Sequence, residues 1–144
     1  MFACRTQREN FSLYEIMDKI KLERFSFLRN SSYWELGKKR LFISSFLEGF
    51  PLASITVLSD VNGTIHVTEG YNRLLTLIEY LNNEFDVKGF LYKDLAGIQR
   101  SYYEDTRIHF NLLKPASGVR ELYIEHLIML DESFCVDNFK NINF

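Results

Sequence analysis

Along residues 65–81, "IHVTEGYNRLLTLIEYL", the spacing of apolar positions changes halfway. Ile65 and Val67 alternate with His66 and Thr68, the period of a half-buried strand, whereas Leu74, Leu75, Leu77, Ile78 and Leu81 follow a helix face. Just before them, "LASITVLS" at 52–59 is rich in β-branched residues, and "DVNG" at 60–63 carries an Asn-Gly turn, so a hairpin is expected. "SLYE" at 12–15 matches a capping box and predicts a helix over about 13–20. "LERFSFL" at 22–28 reads as a short strand with Phe25 and Phe27 on one side. "ELGKKRLFISSFLEG" at 35–49 places Leu36, Ile43, Phe46 and Leu47 on one helical stripe, with Gly49 suited to close the helix. A short helix is expected over 93–105, a strand over 107–113 and a last helix over 119–130. Residues 1–10 are polar and expected to be loose, and the 131–144 tail is too apolar to be read as disordered. The elements mix, which argues for a single α+β domain over 1–144 with a small mixed sheet and packed helices, not a doubly wound sheet.

Composition narrows this picture only modestly. With 144 residues, 47% apolar and 25% charged, the chain can bury a core, and 13 Phe with 8 Tyr make that core bulky. A formal charge of −2 gives no global electrostatic case for DNA or an anionic membrane. No apolar run approaches the ~20 residues of a membrane span, and "MFACRTQREN" shows no apolar leader segment. Cys4 and Cys135, the only cysteines, have no metal-ligand spacing, so neither a metal site nor a disulfide is expected. A cytoplasmic location follows as the expectation.

Glu69, Gly70, Tyr71, Asn72 and Arg73 put a carboxylate, a glycine, an amide and a guanidinium at the strand-to-helix junction. The first amides of a helix have no internal partner and carry partial positive charge. Gly70 would let a phosphate approach the backbone, and Arg73 could grip its oxygens with a planar fork. The simpler alternative is that Asn72 caps the helix, Gly70 makes the turn and Arg73 is solvated.

The wider order of motifs resembles a known family. Arg29 and Trp34, then Phe42, Ile43, Ser45, Gly49 and Pro51, then Glu69 to Leu74, Thr76 and Leu77 are similar to three successive blocks. Those blocks, Arg-x-Tyr-x-Trp, Leu-Ile-x-Ser-Ile-x-x-Gly-x-Pro-Ile and Asp-Gly-Gln-Gln-Arg-Leu-Thr-Thr-Leu, mark the N-terminal domain of GmrSD-type modification-dependent restriction enzymes. That family lies in the ParB/sulfiredoxin-like superfamily. The resemblance implies a nucleotide-binding module, with an NTP and Mg²⁺ as the cofactors. Gly70, Tyr71, Asn72 and Arg73 would hold the nucleotide, with Arg29 and Trp34 facing them, and Glu69 would be the catalytic or ribose-binding carboxylate. It also implies a setting in restriction and anti-phage defence, with a nuclease or another defence subunit as protein partner.

The departures point away from turnover. Glu69 stands where the family has Asp, Tyr71 and Asn72 replace two glutamines, and Trp34 falls one residue later after Arg29 than the pattern has it. Met129, Leu130 and Asp131 replace an Arg-Leu-Asn segment. Binding with weak or no hydrolysis is therefore expected; any activity would be NTP hydrolysis. His66, His109 and His126 have no nuclease spacing, the first two being expected to face outward and His126 to pack in the core. "GKKR" at 37–40 is expected to be a solvated helix face rather than a phosphate patch, and Tyr102 and Tyr103 to pack between helix and sheet. Ser44 and Ser45 lack a histidine base, and Trp34 either covers a nucleotide pocket or anchors its loop. The competing function class is a phage- or plasmid-borne interaction protein that keeps the fold without the site and blocks a host system. The aromatic content and the 134–144 tail suit that class.

Overall fold

The computed structural model describes residues 4–27 and 31–115. In chain order they form β1 (Cys4–Ser12), α1 (Leu13–Lys21), β2 (Phe25–Phe27), α2 (Leu36–Leu47), β3 (Ile55–Ser59), β4 (Ile65–Glu69), α3 (Tyr71–Leu81), a 3-10 turn at Tyr92–Asp94, α4 (Gly97–Asp105) and β5 (Arg107–Pro115). The strands make one mixed sheet in the order β1-β5-β3-β4-β2. β1 runs antiparallel to β5 and β3 antiparallel to β4, while β3–β5 and β2–β4 are parallel. Four helices with a five-stranded mixed sheet make the described residues an α+β fold, as the sequence predicts.

Local chemistry sets most boundaries. The capping box at Ser12 is closed in both directions: the Ser12 hydroxyl accepts the Glu15 N–H at 3.2 Å, and the Glu15 carboxylate accepts the Ser12 N–H at 3.3 Å. Gly49, at φ 89°, takes the left-handed conformation that ends α2. The hairpin forms, but its loop is longer than the two-residue Asn-Gly turn expected. Asp60 and Thr64 close a loop in which the Gly63 N–H returns to the Asp60 carbonyl at 3.1 Å and Gly63 alone takes positive φ. The Asp60 carboxylate causes this by accepting the N–H groups of Asn62 and Thr64 at 2.8 and 3.0 Å.

Three expectations are corrected. Residues 4–10 are not loose: they are strand β1, paired residue for residue with β5 from Cys4↔Pro115 to Ser12↔Arg107. Leu36 is 45% exposed and stands off the core, which α2 reaches through Ile43 and Phe46. His66 does not simply face outward. Its Nε2 lies 2.9 Å from Asp60 Oδ2, and both side chains are mostly buried. Burial raises the Asp60 pKa, but the His66 hydrogen bond and the loop amides more than offset it, leaving the carboxyl below its usual range. His109 is exposed, as expected. The expected helix over 119–130, with His126, and the 131–144 tail lie outside the described residues.

The main core lies on one face of the sheet, while Leu58 and Leu113 are buried on the other. Ile55 and Val57, Val67, and Ile108, Phe110 and Leu112 share the core face with Phe25, and Leu13, Ile16, Ile43, Phe46, Leu74 and Leu77 pack against them from the helices. Tyr80 on α3, Tyr92 in the 3-10 turn and Tyr103 on α4 meet ring to ring, with centroids 5.4–6.3 Å apart. Among the described residues no helix is long and apolar enough to cross a membrane.

Candidate functional site

At the end of β4 the chain enters α3 through Gly70, whose φ of 82° is left-handed and favours glycine. Arg73, the first long side chain inside α3, folds back over this turn. Its Nη1 donates to the Ala53 carbonyl at 2.6 Å, and its Nη2 to the Ser54 carbonyl at 3.4 Å and to Glu69 Oε1 at 3.1 Å. Thr56 Oγ1 donates to the other Glu69 oxygen at 3.4 Å. A Cβ at position 70 would lie 2.6 Å from Arg73 Nη2 and 3.1 Å from Ile55 Cγ1. Gly70 thus makes room for the guanidinium as well as for the turn. Gly70→Ala is expected to lose about 2 kcal/mol, mostly the left-handed backbone cost plus displaced Arg73 bonds. Urea unfolding checks this, and unchanged stability would refute the account.

Six of the residues that the sequence points to come together. Trp34, Glu69, Gly70, Tyr71, Asn72 and Arg73 line a cavity of about 170 Å³ at the N-terminus of α3, where the cap residue, Gly70, has no side chain to cap the helix. Two of them take different parts from those expected. The Tyr71 ring is buried in the core, withdrawn from a ligand. Asn72 does not cap α3; Gly70 occupies the cap position, and Asn72 Oδ1 accepts the Tyr33 N–H at 2.9 Å. Arg29 lies outside the described residues.

The residues that hold Trp34 at this cavity are not legible as site residues from spacing alone. Glu79 Oε1 accepts the Ser32 N–H at 2.6 Å, Glu79 Oε2 accepts Lys39 Nζ at 2.5 Å, and the hydroxyls of Ser32 and Thr76 are 2.9 Å apart. Asn72, Thr76 and Glu79 form one polar stripe at helical spacing on a helix that is apolar apart from them and Arg73, and that interruption is the signal that marks them. Trp34 also packs edge-on against Phe42, with centroids 5.2 Å apart, and Lys38 Nζ sits 4.7 Å from its ring centre. "GKKR" is therefore neither a bare solvated face nor a joint phosphate patch. Lys38 covers Trp34, Lys39 pairs with Glu79, and Arg40 donates to Asp86 at 2.7 Å. The Arg40 hydrogen bond keeps the Asp86 carboxyl below its usual pKa.

Chemically, the turn offers helix-end amides, one guanidinium and one carboxylate. The cavity matches a single phosphate group in size and is smaller than the ~300 Å³ at which whole-ligand pockets begin. Among the described residues no cluster of three or more His, Cys, Asp or Glu is arranged to hold a metal ion. Mg²⁺ would depend on phosphate oxygens and water, with Glu69 as the nearest protein carboxylate. A larger cavity of about 480 Å³ lies between α2, the residue 87–96 segment and α4. Its lining sets two carboxylates, Glu48 and Asp94, against one cation, Lys88, which disfavours an anion there. No family model, curated protein or solved structure matches this chain.

Proposed function

We propose that this protein is a ParB/sulfiredoxin-like nucleotide-binding module with little or no hydrolysis, acting in restriction and anti-phage defence or its regulation. The observation that carries the binding part is the N-terminus of α3, where the cap residue is Gly70, beside a phosphate-sized cavity walled by Trp34 and the Glu69–Arg73 turn. A phosphate at the α3 amides would compete with Glu69 for Arg73 Nη2, while Nη1 keeps its bond to Ala53 and holds the guanidinium in place. Glu69, once released, can accept a ribose hydroxyl. The reading of weak turnover rests on the sequence departures, Glu69 where the family has Asp and Tyr71 and Asn72 where it has two glutamines. The defence setting rests on the order of the sequence blocks.

Calorimetric titration of ATP, GTP, CTP and UTP with Mg²⁺ into wild type, Arg73→Ala and Arg73→Lys tests this. At least one nucleotide should bind wild type. Arg73→Ala should weaken binding tenfold or more, about 1.4 kcal/mol, with part recovered in Arg73→Lys. Absence of binding for all four would overturn the proposal.

One observation favours the second reading, an interaction protein that has lost the site. Leu41, Phe50 and Ile98 are large apolar side chains more than half exposed, Ile98 at 88%. A nucleotide-independent complex together with no nucleotide binding would select it.

A further inference from the structure

Three successive backbone amides, Ser32, Tyr33 and Trp34, are each satisfied by a side chain rather than by backbone. Ser32 donates to Glu79 Oε1, Tyr33 to Asn72 Oδ1, and Trp34 to Ser32 Oγ at 3.3 Å. The hydroxyls complete a directed chain. Thr76 gives its one proton to the Asn72 carbonyl at 2.6 Å, so at the 2.9 Å contact it is Ser32 that donates to Thr76. Ser32, Thr76 and Glu79 are all buried, and the second Glu79 oxygen is neutralised by Lys39 from α2. A buried carboxylate placed on an apolar helix is costly unless each oxygen has a partner, and here one oxygen takes the loop and the other takes α2.

We propose that Glu79 is the positioning residue of the α3 cavity. By joining Ser32 to Lys39 it fastens the 32–34 segment along α3 and makes Trp34 a fixed wall of the cavity, not a mobile lid. Its effect on ligand affinity rests on the nucleotide reading above; its effect on Trp34 does not. Glu79 touches no ligand atom in this scheme and acts only through the placement of Trp34.

Trp34 is the only tryptophan, so its emission reports the wall directly. Three measurements test the proposal on the full chain. In Glu79→Ala, Trp34 emission should move to the red and acrylamide quenching should rise about twofold. The affinity for MgATP, or for whichever of the four nucleotides wild type binds, should fall about tenfold. Glu79→Gln keeps an acceptor for the Ser32 N–H but sets an amide NH2 against Lys39 Nζ, so its emission, quenching and affinity should fall between those of wild type and Glu79→Ala. In wild type, the amides of Ser32, Tyr33 and Trp34 should exchange with solvent at least ~100-fold more slowly than in an unstructured chain. The exchange measurement decides the matter even if Glu79→Ala does not fold. Unprotected amides, or a folded Glu79→Ala with unchanged emission and quenching, would overturn the proposal. If wild type binds no nucleotide, the reading of the cavity falls, while emission and exchange still decide whether Glu79 fixes Trp34.

Discussion

Tyr103→Ala should cost about 4 kcal/mol of folding stability, within the range seen when a buried aromatic ring is cut back to a methyl group. Tyr103 is fully buried. Its ring lies 5.4 Å from both Phe46 and Tyr92 and 5.6 Å from Tyr80, and its hydroxyl donates to the Leu77 carbonyl of α3. Truncation therefore opens a cavity bounded by α2, α3 and the 3-10 turn, none of which can close it without moving α3. For a chain of this size the thermal midpoint should fall by roughly 10 °C. Tyr103→Phe keeps the ring and removes only one hydrogen bond, so it should cost about 1 kcal/mol and leave the α3 cavity intact. Calorimetry on the two variants separates ring packing from the hydroxyl. A loss below ~1 kcal/mol in Tyr103→Ala would show that the aromatic cluster does not anchor α3.

The same cluster makes the fold sensitive to alkali. Burial raises the hydroxyl pKa of Tyr80 and of Tyr103, and burial with the Glu104 hydrogen bond pushes Tyr92 up to about 12. In the unfolded chain these phenols ionise near 10. Their folded values are higher, so the stability they contribute is fully present below about pH 10 and is lost as pH rises towards their folded values. Each group that stays protonated only in the folded state removes up to about 1.4 kcal/mol per pH unit, so three together set an upper limit of about 4 kcal/mol per pH unit. Urea unfolding between pH 9 and 11.5 should show a flat region followed by this steep fall, and Tyr103→Phe should reduce the slope by about one third. A slope no larger than one group's would mean that the phenols ionise without unfolding the chain.

The candidate site was legible in the sequence to the extent that its chemistry is local. Glu69, Gly70 and Arg73 meet because a strand, one left-handed residue and a helix turn bring i and i+4 together. What Arg73 does there was not legible, because its strongest partner, the Ala53 carbonyl, is supplied by the chain before β3. Asn72 shows the same division: its residue type suits a helix cap, but the cap position falls on Gly70, and the Asn72 side chain is drawn to the Tyr33 amide across a long sequence separation.

Elements written in short-range pattern were determined by the sequence itself: the Ser12 capping box, Gly49 ending α2 and the apolar face of α3; β4 forms where its pattern predicts, but both its faces are covered, Thr68 being as buried as Val67. Strand β1 was decided only by tertiary structure. On the face where Phe11 packs against the core, its other positions, Arg5, Gln7 and Glu9, are polar and exposed or half-buried, so no alternation announces it, and it exists because its backbone completes the ladder of β5 at the sheet edge. The Ser32–Trp34 wall was decided in the same way. Hydrophobic period records which face of an element is buried; it does not record which distant side chain will satisfy an amide, and that pairing forms only when α2, α3 and the loop between α2 and β2 are brought together.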